Sequence, residues 1–175
     1  MLCVKLTIAG WICDASRLYI PAVRDYFPLA RLLRHKEATQ LCGACYLSLG
    51  CTISIFFFAP PIAMASITFL VLGDMSAALI GVSFGGESCV LKLGREGKKS
   101  LEGSVAMFLV CFCIGCVIFR AAPLSEYISL VGAIVATLVE LYEPLALNDN
   151  LTIPVFTSFA LTWAFQRVSY ACTQA

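Results

Sequence analysis

The chain has 175 residues, of which 60% are hydrophobic and only 13% are charged, and its formal net charge at pH 7 is +1. A soluble domain carries about 25% charged residues, so the composition excludes that class and predicts a single integral-membrane domain over residues 1–175. The near-zero net charge gives no indication of nucleic-acid binding, and we expect no nucleic-acid partner.

Apolar stretches define the predicted helices in chain order, since a membrane-spanning helix needs about 20 apolar residues. The first stretch, 2–12, is partial and lacks a basic leader, so we interpret it as a short or truncated membrane helix instead of a signal peptide. The others cover 41–59, 61–82, 104–119, 126–147 and the shorter 151–165. The sequence therefore predicts an all-α, polytopic membrane helix bundle with five to six transmembrane helices.

Two longer polar segments, 13–40 and 83–103, carry nine of the twelve Lys and Arg residues. Two predicted spans separate them, so both lie on the same side of the membrane, and the positive-inside rule places that side in the cytoplasm. Apolar and basic residues alternate in 13–40, which predicts a segment lying in the membrane interface. The predicted turn at 145–151 falls on the same side.

The ten cysteines do not form a disulfide pattern, because most lie inside apolar runs such as FLVCFCIGCVIF. Cys42 and Cys45 have a metal-like spacing, but no second pair accompanies them. We therefore expect packing roles for the cysteines and no zinc site.

Asp74 lies within the apolar stretch LVLGDMSAALIG, where a charged group costs roughly 2.5–3.5 kcal/mol on insertion scales. On a helix, Ala77, Ala78, Gly81 and Gly85 share its face. Close helix packing explains this stripe of small residues but not the carboxylate. We therefore interpret Asp74 as a functional residue, about 12 Å below the end of a span that finishes near residue 82.

The basic, glycine-rich loop KLGREGKKSLE follows this span. Backbone N–H groups beside glycines approach phosphate oxygens closely, and lysines add positive charge. Ser100 is placed to begin a helix whose N-terminus would face an anion. The spacing of a P-loop is absent, and a basic loop that only sets membrane topology explains the same residues about as well.

Glu140, in VGAIVATLVELY, is the second acid in an apolar stretch. It lies roughly 10 Å from the end of a span that finishes near residue 147, so we expect it at a depth similar to that of Asp74. Asn148-Asp149-Asn150 then supplies hard oxygen donors, which suit Mg²⁺ and equally an ordinary turn. The acids and the loop together predict a site for a metal-bound phosphate compound at the membrane surface.

Two charged residues of the interfacial segment, Arg34 and Glu37, stand where that segment meets a span and are candidates to close the site. The single histidine, His35, lies among exposed charges. No serine suitable for a catalytic triad lies near it, so hydrolase chemistry of that kind is not expected.

The motifs GDMSAALIG, GKKSLEGSVAMF and VATLVELYEPLALNDNLTIP occur in this order, after RHKEATQLCGACYLSLG. From Arg34 onward the chain resembles the CTP-dependent lipid kinase family, which includes dolichol kinase, phytol kinase and yeast-type diacylglycerol kinase. The first half of the pattern is shared with phosphatidate cytidylyltransferases. Their His-Gly-Gly and Asp-Arg-x-Asp signature is replaced here by Asn-Asp-Asn-Leu-Thr, which favours the kinase branch. Family members usually carry an Arg-Lys pair and a histidine in an earlier helix that precedes the start of this chain.

The resemblance implies transfer of the γ-phosphoryl group of CTP to a membrane lipid alcohol, with Mg²⁺ as the cofactor. The catalytic residues that it implies are Asp74, Lys99, Glu102 and Asp149. Glu102 would orient Lys99 or the water of the metal ion. The implied nucleotide-binding residues are Gly81, Gly85, Lys92, Lys98, Lys99, Ser100 and Gly103. The implied metal ligands are Asp74, Glu140, Asp149 and Asn150.

Two other functions stay open at this point. One is a phosphatidate cytidylyltransferase that makes CDP-diacylglycerol. The other is a non-enzymatic membrane transporter or scaffold, which would use the acids for ion passage or packing. The shortness of the predicted helices also makes a homo-oligomer an option, because a second copy would help to enclose the site.

Overall fold

The computed structural model describes residues 2–20, 40–84, 92–93, 99–142 and 147–174. Its helices are α1 (Leu2–Tyr19), α2 (Gly43–Phe57), α3 (Pro60–Thr68), a π-helical turn (Phe69–Gly73), α4 (Asp74–Phe84), α5 (Leu101–Ile118), α6 (Ser125–Tyr142) and α7 (Asp149–Gln174). The predicted all-α helix bundle is confirmed. Strands β1 (Lys92–Leu93) and β2 (Lys99–Ser100) form a short antiparallel pair that the hydropathy pattern did not predict.

Three helical stretches within the described ranges are long and apolar enough to cross a bilayer, namely Pro60–Phe84, Leu101–Ile118 and Ser125–Tyr142. Helix α2 is apolar but shorter. Large apolar side chains point away from the bundle, and Val82 (85% exposed) and Val117 (69% exposed) are examples. Such surfaces suit a lipid environment, so the chain is a membrane protein. The total of five to six spans stays a prediction.

Contacts between neighbouring helices fix their directions. Helices α1 and α2 are antiparallel, because Thr7 bonds to Thr52 near the far end of α2, and Asp14 bonds to Cys42 just before α2 begins. Helices α4 and α5 are antiparallel too: a Cβ built on Gly73 would meet Cys111, and one built on Gly103 would meet the carbonyl oxygen of Ala77.

Helices α5 and α6 are antiparallel as well, and so are α6 and α7. Gly115 of α5 packs on Ser129 of α6, and Gly132 of α6 packs on Leu161 of α7. Helices α2 and α7 are parallel, since the start of α7 contacts Gly50, while Ser54, one turn later, bonds to the Pro154 carbonyl and to Ser158. One end of the bundle therefore holds the end of α1, the start of α2, the end of α4, the start of α5, the end of α6 and the start of α7. We call this the polar end.

Three fully buried serines form hydrogen bonds between helices in the middle of the bundle. Ser158 of α7 hydrogen-bonds to Ser66 of α3 at 2.8 Å and to Ser54 of α2 at 3.3 Å. Pro154 lies inside α7. Its missing N–H leaves the Asn150 carbonyl without the usual helical bond, and α2 approaches that carbonyl closely at Gly50, which has no side chain to prevent it.

Two predicted boundaries differ from the structure. Helix α1 continues to Tyr19, past the predicted residue 12, and Asp14 is one of its buried residues. Residues 21–39 of the predicted interfacial segment lie outside the described residues, and that segment stays a prediction. The described part of α6 extends to Tyr142, and residues 143–146, which lead to its predicted end near residue 147, lie outside the described residues. Helix α7 has 26 residues and is much longer than the predicted 151–165, because hydropathy does not detect its polar first and last turns.

Candidate functional site

The centre of the polar end is an ion pair between Lys99 and Glu140. The Lys99 Nζ lies 2.6 Å from the Glu140 Oε1, and the two side chains are 25% and 5% exposed. Strand β2 positions the lysine immediately before α5, and the last turn of α6 positions the glutamate. Sequence analysis proposed both residues for the site but did not pair them, because no local pattern links positions this far apart.

The second carboxylate oxygen of Glu140 is buried and has no hydrogen-bond partner among the described residues. The hydroxyl oxygen of Thr137, one turn earlier on α6, is also buried and unpartnered within the described ranges. Buried polar atoms are almost always paired, since an unmade hydrogen bond costs about 1–3 kcal/mol. Sequence analysis did not single out Thr137, as nothing local distinguishes it from other threonines in apolar helices.

The start of α5 has the form that was predicted from the sequence. Ser100 is the N-cap, and its hydroxyl accepts a hydrogen bond from the Gly103 N–H at 3.1 Å. The β1–β2 pairing sets Lys92 opposite Ser100. The helix N-terminus carries a partial positive charge, which adds to the charge of Lys99 at this position. The arrangement is suited to an anion at the polar end.

Asp74 is the first residue of α4 and directly follows the π-helical turn. Its side chain is half-buried. The small-residue stripe is present, but Gly73, Ala77 and Gly81 are the residues that pack on α5, and Ala78 is exposed. Asp74 precedes Ala77 by three positions and Gly81 by seven, so it lies on the same side of α4 as they do. It precedes Phe84, the last described residue of α4, by ten positions, or about 15 Å.

The helix register places Asp74 and Glu140 at similar levels, as expected. Asp74 precedes Ala77, which faces Gly103, by three residues, or about 4.5 Å. Glu140 follows Ser129 by eleven residues, and Ser104 precedes Gly115, the partner of Ser129, by the same number. Glu140 is therefore level with Ser104, and the two acids lie within about one helical turn of the same level. Glu140 lies in the last described turn of α6, and its predicted distance of about 10 Å from the helix end stays a prediction.

Asn148, Asp149 and Asn150 form the start of α7. The backbone N–H of Asn150 donates to Asn148 Oδ1 at 3.0 Å and to Asp149 Oδ1 at 2.9 Å, which is the behaviour of a helix-capping turn. The Asn150 side chain donates to the Gly43 carbonyl at 3.4 Å. The turn that was predicted is therefore present, at the polar end, and a role of these side chains as ligands stays a prediction.

A second buried ion pair, between Asp14 and Arg17, lies at the polar end and was not predicted. The Arg17 Nη2 is 2.7 Å from Asp14 Oδ1, and the same guanidinium donates to the Gln40 carbonyl at 3.1 Å. Asp14 Oδ2 accepts from the Cys42 N–H at 2.7 Å. The pair therefore attaches the end of α1 to the chain that leads into α2. Its sequence signal is an acid and a base three positions apart in an apolar helix.

Several predicted site residues cannot be placed. Gly85, Lys98, Arg34 and Glu37 lie outside the described residues, and only the backbone of Lys92 is described. Within the part of the chain that is described, no group of three or more His, Cys, Asp or Glu side chains could hold a metal ion. Magnesium commonly uses one or two carboxylates together with substrate phosphates and water, so the Mg²⁺ prediction stays open.

The fold and this site define a membrane helix bundle with a cationic helix start beside buried carboxylates at one end. CTP-dependent diacylglycerol kinase 1 of Saccharomyces cerevisiae is 32% identical over 172 residues, covering 85% of this chain and 58% of the relative. The protein of the same name from Eremothecium gossypii is 28% identical, with 84% and 52% covered. An uncharacterised protein of Rickettsia prowazekii is 29% identical, with 87% and 78% covered.

These relatives confirm the resemblance to the CTP-dependent lipid kinase family. The chain spans a little over half the length of the two named kinases. No protein-family model matches the chain, and no solved structure gives a significant match.

Proposed function

We propose that this chain transfers the γ-phosphoryl group of CTP to a membrane lipid alcohol, with diacylglycerol as the first candidate. The observation that carries the proposal is the Lys99–Glu140 pair beside the capped start of α5, in a chain whose relatives are named CTP-dependent diacylglycerol kinases. A cation held in place by a carboxylate at a helix N-terminus is a suitable receptor for a triphosphate.

The reaction needs little covalent chemistry from the protein. The alcohol oxygen forms a bond to the γ-phosphorus while the bond from that phosphorus to the β,γ-bridging oxygen breaks. The products are a lipid phosphate monoester and CDP, and the hydroxyl proton leaves to a carboxylate or to water. Such transfer depends mainly on positioning and on neutralising negative charge. Lys99 and the α5 N-terminus supply that charge here, with further contacts proposed for Lys98, Lys92 and Gly103.

Magnesium is the proposed cofactor, and it would neutralise charge on the β- and γ-phosphates. Asp74 is half-buried at the level of the ion pair, and Asp149 begins α7 at the same end, so both have the hard oxygen donors that Mg²⁺ takes. Glu140 fits a metal less well, because the Lys99 ammonium already neutralises it and would repel a second cation. We therefore assign the proposed metal site to Asp74 and Asp149, with Asn150 as a further oxygen donor.

The polar end is proposed to face the cytoplasm, since the basic segments lie there by the positive-inside rule. This position brings a water-soluble nucleotide to a hydroxyl group held at the membrane surface. A homo-oligomer that completes the enclosure of the site stays part of the proposal.

Labelled CTP tests the proposed function. The purified chain in phospholipid-containing micelles is given CTP labelled at either the γ- or the α-phosphate, with diacylglycerol, a polyprenol, phytol or phosphatidate. We expect γ-label on diacylglycerol. Transfer of α-label to phosphatidate would instead identify a cytidylyltransferase, and the absence of any transfer would favour a transporter or scaffold.

A further inference from the structure

Two neighbouring polar atoms of α6 are buried without partners within the described part of the chain, namely the Thr137 hydroxyl oxygen and the Glu140 Oε2. The residues are three positions apart, so they lie on the same side of the helix with an axial separation of about 4.5 Å. Their neighbours Ala136, Val139 and Leu141 are buried and apolar. The carboxylate acceptor of Glu140 and the hydroxyl donor of Thr137 therefore lie one turn apart among apolar residues of α6.

We propose that this pair is the recognition site for the acceptor lipid, and that it selects a glycerol lipid carrying an ester. This inference rests on the proposed function. Glu140 Oε2 accepts a hydrogen bond from the substrate hydroxyl, and the Thr137 hydroxyl donates to the carbonyl oxygen of the adjacent ester. A diacylglycerol presents these two groups a few bonds apart, whereas a polyprenol presents a hydroxyl and no carbonyl.

The order of the two residues along α6 agrees with the orientation of such a lipid. Glu140 lies in the last described turn of α6, toward the polar end, and Thr137 is one turn deeper. The free hydroxyl of a diacylglycerol lies nearest to water, and its ester carbonyls lie deeper, above the acyl chains. Exposed Leu138 and Ile134 on the same helix offer a lipid-facing surface for those chains.

Because of the ion pair, Glu140 Oε2 is suited to accept a hydrogen bond from an alcohol and not to bind a second cation. Lys99 holds Glu140 Oε1 at 2.6 Å, so a metal ion on Oε2 would lie within a few ångströms of an ammonium group. A neutral hydroxyl donor meets no such repulsion. Lys99 can also contact a phosphate, because its side chain remains partly exposed, so the pair would place the alcohol next to the triphosphate.

A matched pair of lipids tests the inference on the wild-type chain. A 1,2-diacylglycerol and the corresponding 1,2-dialkyl ether differ at the ester carbonyls and share the hydroxyl. We expect kcat/KM for the diester to exceed that for the diether by about tenfold, the value of one hydrogen bond. Thr137→Val should lower kcat/KM for the diester about tenfold, mainly through KM, and leave the diether unchanged. Thr137→Ser, which keeps the hydroxyl, should retain the preference.

Two further variants separate substrate recognition from general damage. Thr157→Val removes another buried, unpartnered hydroxyl, on α7, and should not alter the ratio between the two lipids. Glu140→Gln should lower the rate with both lipids, because it removes the acceptor for the shared hydroxyl and breaks the ion pair that holds Lys99. Equal use of the two lipids by the wild type, or an equal loss with both in Thr137→Val, would overturn the inference while leaving the kinase intact. Absence of γ-label on every lipid would remove the proposed function and the inference with it.

Discussion

The ammonium group of Lys99 lies 2.6 Å from the carboxylate of Glu140, although 41 positions separate the two residues in the chain. The contact joins the start of α5 to the end of α6 and leaves one carboxylate oxygen buried and unpaired within the described residues. Under the proposed function, the lysine that contacts the nucleotide and the helix that contacts the lipid would share one site.

The charge of Lys99 can be removed directly. Lys99→Ala should lower kcat/KM for CTP-dependent phosphorylation by at least ~100-fold, because the triphosphate loses a positioned cation in a site of low dielectric. Steady-state kinetics with γ-labelled CTP measure the effect. Arg120→Ala is the matched control, since it removes a positive charge from the exposed turn between α5 and α6 at the other end of the bundle. Similar losses in both variants would contradict a specific role for Lys99.

Asp74→Asn removes the charge of the deepest proposed metal ligand while preserving its shape. We expect activity to fall at least ~100-fold, and higher Mg²⁺ concentrations to restore little of it, because an amide is a poor substitute for a carboxylate toward a hard cation. Activity measured across a Mg²⁺ titration checks this. Glu126→Gln, at an exposed position in the first turn of α6, should behave like the wild type. Retained turnover in Asp74→Asn would exclude Asp74 from the site.

Gly103 tests the close approach of α4 and α5. A Cβ at this position would lie 2.7 Å from the backbone oxygen of Ala77, so Gly103→Ala should force the helices apart and destabilise the protein by about 1–3 kcal/mol. Thermal unfolding in detergent micelles measures the change. Gly10→Ala on α1 is the control, because nothing lies within 4 Å of the added Cβ and the helix propensity of alanine should make it neutral or stabilising. A stable Gly103→Ala protein would show that the contact is not as tight as described.

We expect single and double variants of the Asp14–Arg17 pair to differ in stability. Arg17→Met leaves Asp14 as an uncompensated buried charge, which should cost about 3–5 kcal/mol of stability. The double change Asp14→Leu with Arg17→Met removes both charges and should cost less, although the Cys42 N–H loses its acceptor. Unfolding in micelles with increasing denaturing detergent compares the two. A double variant that is less stable than Arg17→Met would argue against this account.

Much of the helical architecture could be predicted from hydropathy, because membrane-length apolar segments have few alternatives to the helix. The turn at Pro60 and the helix start at Ser100 also carry local signals, since proline favours the first helical position and serine the N-cap. The boundaries near Tyr19 and Asp149 were predicted poorly. Polar residues at those helix ends are stabilised by tertiary partners, which a hydropathy average does not detect.

The sequence by itself determined that this is an all-α membrane protein and predicted that its acids and lysines lie at one end. The acids indicate a function because a charge in an apolar segment is costly. Only the tertiary structure decided that Lys99 pairs with Glu140, that Gly73, Ala77 and Gly81 pack toward α5, and that the Thr137 hydroxyl lies buried one turn from Glu140. These relationships depend on helix register, and register is set by how distant surfaces fit together rather than by neighbouring residues in the chain.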